Sequence, residues 1–227
     1  MEMEITIPEV LPVMTLPEVT FFPQALLPLR IFEPRYRQML RDVLAADRLF
    51  AVAGLKSSEE GATQQFEPPH RIASVGIVRA CQKNADGTSN LLLQGLCRAE
   101  LIEIVNDEPY RRARVRPLSS EFGASPDTIQ ALHAEVMRLI DLKEKFGAPL
   151  PSDITSFLRG VADPETFVDL AAFNLCEDVR LRQRLLETLD LNRRLTLFAR
   201  QLRLELEALK LRQKLQGSLG DDEIPLN

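Results

Sequence analysis

Leu26-Leu27-Pro28-Leu29-Arg30-Ile31-Phe32-Glu33-Pro34-Arg35-Tyr36 is an apolar run that turns into a helix start, and the rest of the chain is read outward from it. Leu26 to Ile31 has the bulky apolar content of a buried strand. Pro28 removes one ladder donor, which places that strand at an edge or a bulge. Pro34 suits the first helical position, where its missing N–H costs nothing. Phe32 and Tyr36 bracket the helix start and are placed to pack on each other.

On the N-terminal side, Val10, Leu11, Val13 and Leu16 suggest an interrupted strand, and prolines 8, 12, 17 and 23 forbid a regular helix. On the C-terminal side, a helix is expected over 34–46. Its apolar positions Met39, Leu40, Val43 and Leu44 recur at helical spacing. Leu49 to Leu55 reads as a buried strand. Residues 56–70 form a polar, exposed loop ending in Pro68-Pro69. Arg71 to Gln82 returns to strand, with Gly76 marking a bulge or a close backbone approach. Asn84-Ala-Asp-Gly87 is a hairpin turn into a strand over 90–97, and Gly95 stands where that strand bends. Two further strands are expected over 99–105 and 110–115. Short strands around one helix imply a small bent sheet or partly closed barrel.

Composition changes near residue 119. Residues 119–126 read as a linker, and 127–146 as an amphipathic helix ended by Gly147. A short helix over 154–158 follows. Asp163-Pro164 is a helix-start signature for a segment running to Cys176. Further helices are expected over 179–187 and 191–216. The last has two apolar faces. Leu191, Leu195, Phe198, Leu202, Leu206 and Leu209 form one, expected to pack inward. Leu197, Leu204, Leu211 and Leu215 form the other, buried on a second side or offered to a partner or a second copy. Residues 217–227 read as a disordered acidic tail.

A chain of 227 residues with 45% hydrophobic content can bury a real core. Its net charge of -5 argues against a generic nucleic-acid binder. Only six of its 28 basic residues are lysines, so many arginines are expected in planar ion pairs. Cys81, Cys97 and Cys176 are too few and too scattered for a disulfide framework, and a reducing, cytoplasmic setting fits. The acidic start lacks a signal-peptide pattern, and no run of 18 apolar residues could span a membrane. His70 and His133 have no neighbouring nucleophile or metal spacing, so no catalytic, metal or cofactor residue is assigned.

The chain resembles the N-terminal, substrate-recruiting domain of the Lon family of ATP-dependent proteases. The resemblance rests on an ordered set: Leu11-Pro12-Val13; the Leu26–Tyr36 stretch; Val75-Gly76-Ile77-Val78; Asp86-Gly87; Leu91 to Gly95-Leu-Cys-Arg98; and the leucine-rich helices from Leu170 onward. It implies an α+β fold. A β-rich, PUA-like bent sheet or pseudo-barrel would occupy 8–118, and an all-α bundle with a long C-terminal helix would occupy 119–216. Full members of the family continue into ATPase and protease domains. This sequence has no Gly-x-x-x-x-Gly-Lys-Ser/Thr, and none of its lysines follows a glycine. It is therefore expected to be the recruiting module alone, and not an enzyme.

Pro28, Leu29, Phe32, Glu33, Pro34, Arg35, Tyr36, Gly76, Gly95 and Arg98 carry the family pattern and are expected to be mainly structural, a carboxylate–arginine pair fixing the helix start. Phe66, Leu197, Leu204, Leu211 and Leu215 are the candidate peptide- or partner-binding residues. The expected function is non-catalytic recognition of unfolded or specific protein segments, as an adaptor or recruiting module. The alternatives are an RNA-binding PUA-like protein using the Arg111–Arg116 strand, where Arg112, Arg114 and Arg116 share a face, and a protease component by family resemblance alone.

Overall fold

The computed structural model describes residues 5–56, 68–148 and 150–217. Phe66, most of the polar 56–70 loop and nearly all of the expected acidic tail lie outside the described residues.

Six strands and six helices follow in chain order: β1 (Val10–Leu16), β2 (Leu26–Ile31), α1 (Pro34–Ala45), β3 (Leu49–Gly54), β4 (Ile72–Lys83), β5 (Ser89–Asn106), β6 (Arg112–Leu118), α2 (Pro126–Lys145), α3 (Ser152–Arg159), α4 (Pro164–Leu175), α5 (Val179–Glu187) and α6 (Leu191–Gly217). The fold is α+β, as the sequence implies. Two compact units divide it. One comprises the residues up to Glu121 together with Asp169–Leu189, and the other comprises Phe122–Val168 and the residues from Asp190 onward.

In the first unit the strand order is β2-β5-β4-β3-β1-β6, with β6 also paired to β5. That last pairing closes β5, β4, β3, β1 and β6 into a ring. β1 and β3 are parallel, and the other neighbours are antiparallel. A ring of so few strands is narrow, so its interior favours small side chains. Five alanines (51, 53, 73, 99 and 113) fill it together with Leu11, Val13, Leu49, Val75, Leu101 and Val115.

Sequence reading expected two strands where the structure has one, β5, which is 18 residues long. One edge of β5 is used twice. Its first part pairs with β2 from Gln94 back to Ser89, and its second part pairs with β6 from Arg98 to Asn106. Between them lies Gly95, whose N–H donates to the Ala25 carbonyl at 2.9 Å and whose carbonyl accepts from Gln24 at 2.9 Å. A Cβ at Gly95 would lie 2.1 Å from the Phe22 carbonyl oxygen. Gly76 stands opposite in register, where a Cβ would press on Leu93 and the Phe21 ring. Both glycines are needed for close approach.

The opening stretch behaves as β2 and the start of α1. Glu33 is the extended residue before the helix and Pro34 its first residue. Glu33 pairs with Arg35 at 2.9 Å. Tyr36 is buried and tied to β1: its hydroxyl donates to the Thr15 carbonyl at 3.0 Å and accepts from the Thr15 N–H at 3.2 Å. Phe32 is 61% exposed, so the ring that anchors this corner is Tyr36 alone.

Residues 169–189 depart from the expected boundary near 118. They group with the sheet rather than with the other helices. Arg98 of β5 donates through both terminal nitrogens to the two Asp169 oxygens, each at 2.6 Å, with side chains 2% and 1% exposed. Its Nε donates to the Leu186 carbonyl at 3.0 Å. Gln183 donates to the Ile72 carbonyl at 3.1 Å, and Phe173 meets Phe21 edge-on at 6.5 Å between ring centres.

The second unit is built on α2 and α6. Ile129, Val136, Leu139 and Ile140 of α2 are buried, as are Leu191, Leu195, Phe198, Leu202 and Leu206 of α6. Lys143 pairs with Glu205, and Arg203 pairs with Glu135 at 2.6 Å. Helix starts follow their capping residues. The Asp163 carboxylate accepts from the Thr166 N–H at 2.8 Å, and Asp190 accepts from Arg193 at 2.9 Å. Among the described residues no helix is long and apolar enough to cross a membrane.

Two outcomes follow for stability. Asp169→Ala leaves the Arg98 guanidinium buried without its carboxylate and is expected to cost about 3–5 kcal/mol in a denaturant titration. Replacing both, Arg98→Met with Asp169→Leu, restores most of that loss. Gly95→Ala forces β5 away from the Phe22 carbonyl and lowers the unfolding free energy by on the order of 3 kcal/mol, read from the same titration.

Candidate functional site

The family-pattern residues lie mostly in the framework. Tyr36, Gly76, Gly95 and Arg98 make the contacts just described, and Pro34 starts α1. Pro28 sits at the middle of β2, which among the described strands has β5 as its one neighbour. The edge position expected from the sequence is where it lies. A proline there contributes no N–H, which blunts that edge for an added strand.

Arg98 is not part of the helix start, contrary to expectation. Glu33 takes Arg35, and Arg98 takes Asp169. Sequence reading missed Asp169. Its signal was a lone carboxylate inside the apolar run Phe167-Val-Asp-Leu-Ala-Ala-Phe173.

The arginines of β6 lie among carboxylates. Arg114 pairs with Glu9 and lies 3.7 Å from Glu103. Arg116 pairs with Glu100, which also takes Arg71 at 2.7 Å. Arg112 lines a recess of about 320 Å³ with Asp42, Asp47 and Tyr110. Within it the Tyr110 hydroxyl donates to Asp42 at 2.8 Å. Burial, then this hydrogen bond, pushes the Tyr110 phenol up from its ordinary value. Tyr110 and Asp42 of this recess thus serve each other.

On α6 the second apolar face is largely open: Leu204, Leu211 and Leu215 are 54%, 58% and 61% exposed, while Leu197 is half-buried. Leu209 is half-buried too, whereas its five companions on the inward face are buried.

A cleft of about 280 Å³ lies between α1 and the β4–β5 hairpin. From α1 come Arg37, Leu40, Arg41 and Leu44, and from β4 come Cys81 and Lys83. Positions 37, 40, 41 and 44 fall at i, i+3, i+4 and i+7 and so share one helix face. Leu40 is buried at the floor, Leu44 is 38% exposed, and Arg37, Arg41 and Lys83 are exposed. The result is an apolar trough with a cationic rim. The sequence counts Leu44 with Met39, Leu40 and Val43 at helical spacing, and of these four it alone is exposed. The Arg37–Arg41 pair was a visible helical spacing, but its partners on β4 are set by strand register alone.

Among the described residues no group of three or more His, Cys, Asp and Glu side chains could hold a metal ion. His70 lies 3.6 Å from Glu187, and burial lowers its pKa from the ordinary value. His133 packs against the Phe167 ring at 4.2 Å, and burial lowers its pKa too.

Residues 10–203 match the family model described as the ATP-dependent protease La (LON) substrate-binding domain. The Lon protease of Syntrophus aciditrophicus (strain SB) is 29% identical over 218 residues, which is 95% of this chain and 28% of that protein. The Lon protease of Dictyoglomus thermophilum is 28% identical over 216 residues, 95% of this chain and 27% of that protein. The chain thus spans little more than a quarter of these relatives. Among solved structures, the N-terminal domain of Mycobacterium avium complex Lon protease superposes with a TM-score of 0.66 at 17% identity, covering 86% of this chain and 98% of that one. The Lon N-terminal domain protein from Xanthomonas campestris gives 0.57 at 19% identity, covering 82% and 95%. These structural likenesses carry the fold, and the family match carries the assignment: the chain belongs to the ATP-dependent protease La (Lon) substrate-binding domain family.

Proposed function

We propose that this chain is a non-catalytic module that binds extended protein segments, and that the cleft between α1 and the β4–β5 hairpin receives them. The observation that carries the reading is the solvent-open apolar trough formed by Leu40 and Leu44 of α1 against Cys81 of β4, in a chain whose family is described as substrate-binding. A protease's substrates are polypeptides. The ligand of its substrate-binding domain is then a polypeptide whose apolar side chains are accessible, as they are in an unfolded segment. No residue of this chain is assigned a bond-breaking role.

RNA binding is the weaker reading. Arg114 and Arg116 are already paired with carboxylates, so engaging phosphates would mean breaking those pairs.

The test is fluorescence anisotropy with a labelled model protein that is reduced and unfolded, the same protein folded, and a short single-stranded RNA. The unfolded protein is expected to bind, and the folded protein and RNA are not. Leu44→Glu, at a position already partly exposed, weakens binding by about tenfold by replacing apolar contact with a charge. Leu204→Glu on α6 leaves it unchanged. Failure of the unfolded protein to bind, or loss of binding in Leu204→Glu but not in Leu44→Glu, would contradict the assignment.

A further inference from the structure

The cleft is charged more selectively than the chain that carries it. The whole protein has a net charge of -5, yet the cleft is lined by Arg37, Arg41 and Lys83 and by no carboxylate. The carboxylates that α1 and the neighbouring turn do carry are engaged elsewhere. Asp42 is the single acid of α1, and its two oxygens accept from Gln38 at 2.9 Å and Tyr110 at 2.8 Å. Asp86 accepts from the Thr88 N–H and hydroxyl at 2.9 and 2.7 Å and lies 3.7 Å from Arg30. The Thr88 bonds hold its carboxyl below the ordinary range, so it stays anionic and committed to the turn.

The three cations, by contrast, have no ion-pair partner among the described residues. Arg37 rests on the turn itself: a Cβ at Gly87 would lie 2.3 Å from its terminal nitrogen. Gly87 has a positive φ of 79° and no side chain, so the guanidinium lies across this end of the cleft. Arg41 follows four residues on, about 6 Å along the helix axis, and donates to the neutral Gln38. Lys83 faces them from the end of β4.

We infer that this cleft selects acidic apolar segments: polypeptide stretches in which an apolar side chain enters the Leu40–Leu44 trough and flanking Asp or Glu residues meet Arg37, Arg41 and Lys83. The inference rests on the segment-binding reading above and adds the substrate class to it. The trough supplies contact area, and the cationic rim supplies discrimination, because a basic segment would place like charges against three unpaired cations.

The experiment compares three labelled peptides with one shared apolar core, flanked by glutamates, by glutamines or by lysines, binding to the full chain and to the Arg37→Gln/Arg41→Gln/Lys83→Gln variant. All three substituted side chains are exposed, so the fold is kept. At low salt the glutamate peptide is expected to bind roughly tenfold more tightly than the lysine peptide, with the glutamine peptide between. The spread narrows at high salt. In the triple variant the three peptides converge on the affinity of the glutamine peptide. Equal binding of all three to the unaltered chain, lost in Leu44→Glu, would overturn charge selection while leaving segment binding intact. No binding of any peptide would overturn both. Tighter binding of a short RNA than of the glutamate peptide, lost in the triple variant, would reassign the cations to phosphates.

Discussion

The bidentate pair between Arg98 and Asp169 is the constraint on which the first unit depends. Both side chains are almost fully buried, and a charge is tolerated there only when its partner satisfies it. The guanidinium meets that condition with three directed bonds, two to the carboxylate and one to the Leu186 carbonyl. Phe22 lies beneath it, 6.0 Å from the ring centre. These bonds join a strand of the barrel to the middle of α4 and to α5, at residues 71 and 88 positions away in sequence. Net stabilisation by such a pair is small beside the apolar burial around it. Its effect is on register: a slip of β5 that carries Arg98 away from Asp169 forfeits these bonds.

Gly95 and Arg98 work together in that arrangement. Gly95 lets the Phe22 backbone approach β5 where its outer edge passes from β2 to β6. Three residues on, Arg98 points at Asp169. Upstream, β2 leads directly into α1, and Tyr36 bolts that helix to Thr15 of β1. The distinctive Leu26–Tyr36 stretch is therefore a corner of the framework, and the cleft is formed by the helix face that this corner orients.

Much of this was legible in the sequence, and what was missed was missed for physical reasons. Helix starts declared themselves through local chemistry, as at Asp163-Pro164, because caps bond within three residues. Barrel strands declared themselves through short apolar runs. The sequence predicts two strands in place of β5, 90–97 and 99–105, with Gly95 as a bend. β5 continues because β4 pairs with it through Arg98 to Glu100 and β6 takes up the edge that β2 leaves. The second half of α4 and all of α5 were assigned to the helical region by composition, yet they group with the sheet. An amphipathic helix looks alike whichever core it covers. Of the cleft, the sequence marks Leu40 and Leu44 as apolar helix positions but not Arg37 or Arg41, and its candidate binding residues lie on α6 and at Phe66. The cleft's other side, Cys81 and Lys83, depends on strand register, which no local pattern encodes.

The proposed segment binding turns on which open apolar surface receives the polypeptide: the trough beside Leu44, or the row of exposed leucines on α6. A benzophenone side chain introduced at Leu44, and separately at Leu204, distinguishes them when each protein is irradiated with a reduced, unfolded model protein and the adducts are mapped by mass spectrometry. Segment binding in the cleft predicts cross-linking from position 44, competed by excess unlabelled unfolded protein, and background yield from position 204. Competed cross-linking from position 204 with background yield from position 44 would contradict it.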